Sequence, residues 1–498
     1  MRKDLIKDMV KYSPSQFAVI VAGVISIPVL TRLFPPADYG YYALAMASVS
    51  ILTTLTGWTG VGVIRFYPIY EKKEQLNTIL STVSWLEIIG TGLVFIAGAG
   101  TLILLRGRLA PQLHSMLMIA LLVFAITSIS TTMKSFLRAK RMAGLYSAFI
   151  TWNSLGGLLI GIALVLLVGC GIEGMLWGAV ISACFAFPML WKYAIKRPPR
   201  LSEFSSDLSA EMARYGLPLV AGGLAAWILS LSDRYIIEFL RGAQEVGIYS
   251  ASYAVSEKSI GIIITLFLTA AGPLGMNIFE NKGHQQAAEF TSFLTRYYLL
   301  ACIPAVAGIS VLAVPFMELL VGPEFREGVR IVPLVAAGAF MRGLQGLFQY
   351  GLVFYKKTHY IMVAIVVAGV VNLGLNLLLV PKYGYMAAAL TTIVGYTVLL
   401  AITVAASRKH FKWKLHFSSL ARSAVASAVM AALIYPLGNL INVPVLIRLV
   451  LGMAVGIVIY CLVLWLIGEV LPVEKTYMKK FMVRVLPGMI VPERWKEH

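Results

Sequence analysis

Ionisable and amide side chains deep inside long apolar segments are the strongest candidates for function in this sequence. Arg342 lies well inside the apolar segment 329–354, and Gln345 and Gln349 follow at spacings of three and seven residues. This spacing puts the three side chains on one face of a helix. A polar stripe is costly in lipid, so it predicts the lining of a solvated cavity. A hydrogen-bond network between helices would give the same pattern.

Glu257 and Lys258 are adjacent in sequence, about halfway along the apolar segment 247–278. Neighbouring side chains on a helix point about 100° apart, so we expect each of them to find a partner on another helix. Lys258 would then supply positive charge to a cavity, with Glu257 as the balancing or ion-coupling group. A purely structural ion pair explains the two residues equally well.

Charged residues also occur in or at the ends of other apolar segments. Glu87, the clear carboxylate within the third segment, could take up and release a proton, or could simply hydrogen-bond to a neighbouring helix. Asp233 and Arg234 end the seventh segment, and Arg32 ends the first. Long basic side chains at helix ends also reach for lipid headgroups, which is the alternative for both arginines.

The composition identifies the elements that must position these residues. Of the 498 residues, 59% are hydrophobic and 13% are charged, and the mean hydropathy is +0.82. Soluble domains contain roughly 45–50% apolar and about 25% charged residues, so a soluble globular protein and a disordered chain are both excluded. The net charge of +19 comes from short basic clusters between apolar runs, which is typical of polytopic membrane proteins and requires no nucleic-acid partner.

Apolar runs long enough to cross a bilayer predict an all-α polytopic membrane protein with about 14 transmembrane helices. The predicted spans are 10–32, 40–64, 78–105, 115–136, 146–169, 172–194, 213–236, 247–278, 293–315, 329–354, 360–380, 384–406, 420–441 and 445–470. With a cytoplasmic N-terminus, 30 of the 42 Lys and Arg residues fall in inner segments and 9 in outer connections. The positive-inside rule therefore predicts that both termini are cytoplasmic.

Two pairs of similar motifs indicate an internal repeat. The motifs around Gly40 and Gly247 open the second and eighth spans, and those around Gly174 and Gly384 open the sixth and twelfth. The pairs are separated by 207 and 210 residues, and by six spans in each case. A parallel repeat of two six-helix lobes follows, which points to transport by alternating access. The predicted domains are an N-lobe at 1–200, a C-lobe at 201–407, and two additional helices with a basic cytoplasmic tail at 408–498.

Several stretches carry a resemblance to a known family. Leu30 to Tyr42 and Gly60 to Phe66, with Arg214 to Pro218, Ser232 to Ile237 and Gly247 to Tyr249, resemble the polysaccharide-transport family. This family of O-antigen, capsule and exopolysaccharide flippases belongs to the multidrug/oligosaccharidyl-lipid/polysaccharide exporter superfamily. The resemblance implies a V-shaped pair of lobes around a solvated central cavity. It also implies an undecaprenyl-pyrophosphate-linked oligosaccharide as substrate, moved from the inner to the outer leaflet.

A pyrophosphate substrate gives two more arginines a candidate role. Guanidinium groups bind phosphates in a bidentate manner, and Arg65 and Arg296 lie near inner span ends, although the positive-inside bias could also place them there. The predicted cavity residues are Arg342, Gln345, Gln349, Lys258, Arg65, Arg296, Arg32 and Arg234. The predicted ion-coupling residues are Glu87, Glu257 and Asp233, and neither a metal site nor a catalytic residue is expected.

The leading functional hypothesis is a non-enzymatic flippase in the plasma (inner) membrane. Its expected partners are the lipid-linked oligosaccharide, membrane lipids, a coupling ion (H⁺ or Na⁺) and polysaccharide polymerase or glycosyltransferase machinery. No nucleotide-binding motif or metal-ligand spacing occurs in the sequence, so no cofactor is expected. The alternatives are a cation-coupled multidrug or toxin antiporter and a lipid II-type peptidoglycan precursor flippase. A glycan-processing enzyme is disfavoured because the outer connections are short.

Overall fold

The computed structural model describes residues 2–438 and 443–469, and the predicted basic tail at 470–498 lies outside the described residues. Within the described part, the chain is built from α-helices with short 3₁₀ and π-helical turns, and no strand occurs. The prediction of an all-α, multi-pass membrane protein is confirmed.

Thirteen helices are long and apolar enough to cross a membrane, within the part of the chain that the structure describes. We number the crossing segments in chain order, giving the long eighth helix two numbers. They are α1 (Arg2–Leu33), α2 (Pro36–Lys72), α3 (Leu76–Leu104), α4 (Pro111–Ala139), α5 (Ala143–Val168), α6 (Glu173–Ala194), α7 (Ser206–Arg241), α8 (243–282), α9 (284–311), α10 (Val332–Phe354), α11 (His359–Tyr383), α12 (Tyr385–His410), α13 (Phe417–Gly438) and α14 (Val445–Leu466).

The helix Ala243–Val311 accounts for two of the predicted spans. Its 69 residues would extend about 100 Å, whereas a bilayer core is only about 30 Å thick. Gly283 interrupts it with a φ of 82° and a ψ of −177°, a conformation open to glycine but strained for other residues. Thirteen long helices, with this one crossing twice, therefore account for the fourteen predicted spans.

The helices pack into two groups and a C-terminal pair. In the first group, α4 contacts α2, α3 and α6, while α1 packs against α5. In the second, α10 packs between α8 and α12, and α11 lies against α7 and α12. The helix α13 packs against the α8–α9 pair and against α14. This grouping agrees with the predicted order of the lobes, whose limits at 200 and 407 stay a prediction.

The two groups meet closely at the end that the charge pattern predicts to face outward. Gly40 of α2 and Gly247 of α8 lie at this crossing. The two glycines of the first pair of repeat motifs therefore face each other. A Cβ atom on Gly247 would overlap the carbonyl oxygen of Pro36, and one on Gly40 would overlap that of Ala243. At the same end, the N–H of Gly322 donates to the Thr31 hydroxyl at 3.0 Å. This end of the molecule is therefore closed.

Candidate functional site

A chain of charged and aromatic side chains runs through the second group of helices. Arg342 of α10 donates a hydrogen bond to the Glu257 carboxylate of α8 at 2.8 Å. Their side chains are 42% and 37% exposed, so the pair lines accessible space between helices although both residues lie at mid-span. The Arg342 guanidinium also lies 6.0 Å from the centre of the Tyr396 ring of α12. Arg342 is thus held from two sides and keeps an accessible edge.

A second, more deeply buried pair lies in α7, about two turns before its end at Arg241. Asp233 and Arg234 are 1% and 8% exposed, and their charged groups lie 3.4 Å apart. The Tyr249 hydroxyl donates to Asp233, and the Arg234 guanidinium lies 5.7 Å and 5.2 Å from the ring centres of Tyr249 and Tyr253. Aromatic faces attract such cations. Arg234 therefore has a buried, structural environment, whereas Arg342 has an accessible one.

The two tyrosines connect these pairs because of their spacing on α8. Tyr249, Tyr253 and Glu257 are four residues apart, which puts them on one helix face. Tyr249, Tyr253 and Tyr396 belong to the site and were not predicted from the sequence. The regular spacing of Tyr249 and Tyr253 before Glu257 was a signal that could have identified the first two.

Lys258 points away from Glu257, as the helix geometry predicts. Its ammonium group donates to the carbonyl oxygen of Gly23 on α1, at 2.6 Å, and so connects the two groups of helices. Among the described residues no carboxylate pairs with Lys258, whereas Arg234 and Arg342 each have one. The cluster of two acidic and three basic groups therefore carries one excess positive charge, located on Lys258.

Gln345 lies in a more buried environment than Arg342, although both are on the same helix, α10. Gln345 is only 6% exposed, and its amide points to the Thr403 hydroxyl of α12 at 3.4 Å and to Gln349 at 3.5 Å. These are long contacts at the packed surface between α10 and α12. For Gln345, the geometry is that of a helix–helix contact, the alternative that the sequence left open.

Arg65 and Arg32 lie at opposite ends of the contact between the two groups. The exposed Arg65 guanidinium of α2 lies 5.8 Å from the centre of the Tyr215 ring on α7. Arg32 at the end of α1 donates to the carbonyl oxygen of Leu319 at 2.7 Å. Both arginines thus bridge the two groups, and the structure does not bring either next to Arg342.

Arg296 is not placed where a lipid headgroup could reach it. It is 2% exposed and donates to the Glu469 carboxylate at 2.9 Å and to the Ser419 hydroxyl at 3.3 Å. The pair fixes the end of α14 to α9 and to the start of α13. The Arg296 guanidinium is therefore already used inside the protein.

We expect Glu469→Gln to lower the thermal stability of the protein, because it removes the carboxylate that balances the buried Arg296 charge, at a cost of about 3–5 kcal/mol. Burial raises the pKa of Glu469, but hydrogen bonds from Ser419, Arg422 and Arg296 outweigh it and hold that pKa below its ordinary 4.5. The contribution of the Arg296–Glu469 pair to folding stability is thus complete above pH 4.5. It is lost as the pH falls through the lowered pKa of Glu469. Melting of the purified protein measures this, with the exposed Glu289→Gln as control. Equal melting temperatures for Glu469→Gln and wild type would contradict the assignment.

Glu87 lies in the first group of helices, far from this chain of residues along the sequence. It is 3% exposed and accepts hydrogen bonds from Thr91 at 3.0 Å, Ser128 at 2.6 Å and Thr132 at 2.8 Å, as well as from Thr59. These hydroxyls were not predicted from the sequence. The four-residue spacing of Ser128 and Thr132 puts both on one face of α4 and could have identified them.

Comparisons with known proteins identify relatives of this chain. The family of polysaccharide biosynthesis proteins matches residues 5–278. The probable low-salt glycan biosynthesis flippase Agl15 of Haloferax volcanii is 23% identical over 340 residues, covering 68% of this chain and 69% of that protein. The succinoglycan biosynthesis transport protein ExoT of Rhizobium meliloti is 24% identical over 464 residues, covering 89% of each.

Two solved structures share the fold. The lipid II flippase MurJ in an inward closed conformation has a TM-score of 0.76 at 15% identity, covering 92% of this chain and 99% of that chain. An inward-facing multidrug transporter of the MATE family, in the MOP superfamily, has a TM-score of 0.66 at 12% identity, covering 81% and 97%. The fold is therefore that of MurJ-like and MATE-like transporters.

The family match extends over more than half of the sequence, from the first helix into α8. It includes the stretches from Leu30 to Tyr42 and from Gly60 to Phe66 on which the resemblance was based. The resemblance to the polysaccharide-transport family is confirmed, and the chain belongs to the polysaccharide biosynthesis protein family.

Proposed function

We propose that this protein is a flippase that moves an undecaprenyl-pyrophosphate-linked oligosaccharide from the inner to the outer leaflet of the plasma membrane. Family membership, and the names of Agl15 as a flippase and ExoT as a transport protein, support a role in glycan export. The chemistry of the site supports an anionic lipid headgroup as the group that is bound.

The observation that carries the proposal is the environment of Lys258. Its ammonium group is held by a neutral carbonyl at 2.6 Å, on the other group of helices. A phosphate oxygen is a much stronger partner for an ammonium group than a carbonyl oxygen is. An anionic headgroup would therefore replace the Gly23 carbonyl as the partner of Lys258. It would neutralise the excess charge and release the contact between α1 and α8.

Arg342 would be the second ligand of the headgroup. Its guanidinium has five donors, and only one hydrogen bond, to Glu257, involves another side chain among the described residues. The exposed edge of Arg342 can therefore bind phosphate while Glu257 keeps it in position. Two further arginines, Arg32 and Arg65, would act at the contacts between the lobes. Arg234 would act from its buried pair with Asp233.

An apolar groove offers a place for the prenyl tail. It has a volume of about 340 Å³ and lies between α8, α9, α13 and α14. Its lining includes Ser259, the residue after Lys258, with apolar neighbours such as Met430 and Gly456. The two additional C-terminal helices would then extend the headgroup site with a surface for the hydrocarbon chain. A tail in this groove would leave its pyrophosphate near Lys258.

The rest of the scheme follows from alternating access. We propose that 1–200 and 201–407 move as lobes around a V-shaped cavity, with both termini cytoplasmic. In the structure the predicted outer end is closed by the contact of Gly40 with α8, so substrate would enter from the inner leaflet. Polymerase or glycosyltransferase machinery would supply or use the lipid-linked oligosaccharide, and a coupling ion would drive the cycle.

Binding of undecaprenyl pyrophosphate to the purified full chain tests this proposal. We expect Lys258→Gln to weaken binding about tenfold, because it removes one charge-assisted contact. The control is Lys409→Gln, an exposed lysine at the end of α12, which should bind like wild type. An undecaprenol without phosphate should bind weakly to all three proteins. Equal affinities of wild type and Lys258→Gln for the pyrophosphate lipid would overturn the proposal.

Headgroup preference can be measured in the same assay. An undecaprenyl-pyrophosphate oligosaccharide that binds more tightly than lipid II supports a polysaccharide precursor as substrate. The opposite order would support the peptidoglycan precursor instead and would contradict this part of the proposal.

A further inference from the structure

The connection between α12 and α13 forms an extended segment at the predicted cytoplasmic end, away from the headgroup site. No helix covers residues 411–416, and Phe411 has a φ of −136° and a ψ of 110°. Burial alternates along the segment, because Phe411 and Trp413 are buried whereas Lys412 and Lys414 are exposed. This period of two is that of a β-strand. The segment therefore has an apolar side packed on the protein and a basic side exposed.

The extended segment is held in place by α9 and by aromatic packing. The Ser292 hydroxyl of α9 donates to the Lys414 carbonyl oxygen at 2.6 Å, and Nε2 of His416 lies 3.1 Å from the same hydroxyl. The ring centres of Trp413 and Phe348 lie 4.7 Å apart. The segment is thus ordered before any ligand binds, which lowers the entropy cost of binding.

Several N–H groups of this segment are left without an acceptor in the part of the chain that the structure describes. The Trp413 side chain is 7% exposed, and its indole N–H is buried with no hydrogen-bond partner. The backbone N–H groups of Lys412 and Lys414 donate to no other backbone carbonyl among the described residues. Alternate residues of an extended chain direct their backbone groups to the same side, which for Lys414 is the side of Ser292. Such an edge can pair with another extended chain.

A groove lies between the extended segment and α9. Its volume is about 310 Å³, and its lining includes Phe293 of α9 together with Lys412 and Trp413. A second hollow of about 460 Å³ adjoins it, since Gln285, Glu289 and Phe293 line both. We call the two hollows together the inner groove. Phe293 is 48% exposed, so the inner groove offers an apolar contact as well as polar ones.

The inner groove lies at the end of a helical hairpin that projects from the membrane. The helix α8 (243–282) would extend about 60 Å, whereas a bilayer with its headgroups is about 40–45 Å thick. The tip of the hairpin at Gly283 therefore lies beyond the headgroups on the predicted inner side. The groove follows α9 over 285–293, a distance of about 12 Å, which an extended peptide covers with about four residues.

The charges around the inner groove favour an acidic partner. Lys282, Lys412 and Lys414 line it against one carboxylate, that of Glu289. Within the described ranges none of these four groups forms an ion pair. The positive-inside bias explains lysines at this end of the molecule, but it explains neither the unused N–H groups nor the ordered groove. Complementary charge would select the partner and speed its association.

We propose that the inner groove binds an acidic, extended segment of a cytoplasmic protein. The backbone of that segment would pair with the N–H groups of Lys412 and Lys414, and its carboxylates would meet their ammonium groups. An apolar side chain between the carboxylates would contact Phe293 and Trp413. Docking itself is independent of the flippase function. That the partner is an enzyme assembling the lipid-linked oligosaccharide rests on the proposed function.

Binding of a defined peptide to the purified full chain, in phosphatidylcholine nanodiscs without lipid-linked substrate, tests the proposal. The probe is a fluorescent seven-residue peptide that alternates glutamate and leucine. One comparison peptide has glutamine in place of glutamate, and another carries N-methyl groups on its backbone amides. We expect saturable binding of the acidic peptide that weakens as salt is added, and at least about tenfold weaker binding of both comparison peptides.

Variants of the extended segment assign the binding to the inner groove. Lys412→Gln combined with Lys414→Gln should weaken peptide binding about tenfold. The matched control is Lys356→Gln combined with Lys357→Gln, which removes the same charge from the exposed turn between α10 and α11 and should bind like wild type. Trp413→Phe keeps an aromatic ring but loses the indole N–H, so it should weaken binding severalfold. Equal affinities of wild type and the Lys412/Lys414 double variant would overturn the proposal.

An anionic lipid headgroup is the competing occupant. A short-chain, water-soluble phosphatidylglycerol should not displace the peptide from wild type. Displacement by this lipid, but not by the matching phosphatidylcholine, would identify the groove as a lipid site and contradict a peptide partner. Equal binding of the glutamate and glutamine peptides would contradict the acidic partner as well. Because no lipid-linked substrate is present, failure of the flippase proposal would leave these results unaffected.

Discussion

Arg342→Gln is expected to reduce flipping of a lipid-linked oligosaccharide roughly 10- to 100-fold, the effect of losing a hydrogen bond to a charged group of about 1.5–3 kcal/mol. The substitution removes a headgroup ligand and also leaves the Glu257 carboxylate, previously 2.8 Å from Arg342, to repel the phosphates. Export in cells that lack their own flippase, normalised to the amount of protein in the membrane, measures the effect.

The double variant Glu257→Gln with Arg342→Gln separates binding from charge balance. It leaves no unpaired charge at this position, because the carboxylate and the guanidinium are both removed. We expect transport to stay low because the headgroup ligand is still missing. Arg408→Gln, an exposed arginine at the end of α12, is the matched control and should transport normally. Full transport by the double variant would mean that Arg342 only balances Glu257.

Gly247→Ala should abolish transport by keeping the predicted outer end from closing. The new Cβ atom would overlap the Pro36 carbonyl oxygen, which belongs to the backbone, so α2 and α8 must separate. Overpacking of this kind typically costs about 1–3 kcal/mol in the closed state. The population would shift toward forms in which the two lobes are apart at this end, and a cycle that requires closure would stop.

Labelling of a cysteine at position 39 measures this shift. Tyr39 is 7% exposed and contacts the Phe325 ring across the closed end, with 5.6 Å between ring centres. In a background without the four native cysteines, Tyr39→Cys should react slowly with a membrane-impermeant maleimide, and much faster when combined with Gly247→Ala. Gly222→Ala on α7, where a Cβ atom would meet nothing within 4 Å, is the matched control. An unchanged labelling rate with Gly247→Ala would contradict the proposed closure.

The fold was largely predictable because membrane helices are encoded locally. The length of each apolar run and the distribution of Lys and Arg predict spans without any knowledge of long-range contacts. The repeat around Gly40 and Gly247 was also visible in the sequence. Its physical reason was not, because only the packed structure shows that the two glycines lie against each other where α2 crosses α8.

The site was predictable only as far as helix geometry reaches. Neighbouring side chains on a helix point about 100° apart. This predicted that Glu257 and Lys258 would point to different helices, and they do. Which helices they meet depends on contacts over 85 residues to Arg342 and 235 residues to Gly23, which no local pattern contains.

Arg296 shows the limit of reasoning from charge distribution. Its position near an inner span end suited both a phosphate ligand and the positive-inside bias, and the sequence could not separate these. The deciding fact is a buried carboxylate 173 residues away, at Glu469. Gln345 is similar, since its helix face was predictable but its neighbour Thr403 on α12 was not.

Flipping by the purified protein in liposomes tests the central claim most directly. One fluorescent glycan is attached to undecaprenyl through pyrophosphate and, in a second probe, through a neutral linkage. The account predicts that wild type moves the pyrophosphate probe across the bilayer and leaves the neutral probe behind, and that Lys258→Gln and Arg342→Gln move the pyrophosphate probe slowly. Equal movement of both probes by wild type, or unchanged movement of the pyrophosphate probe by both variants, would contradict it.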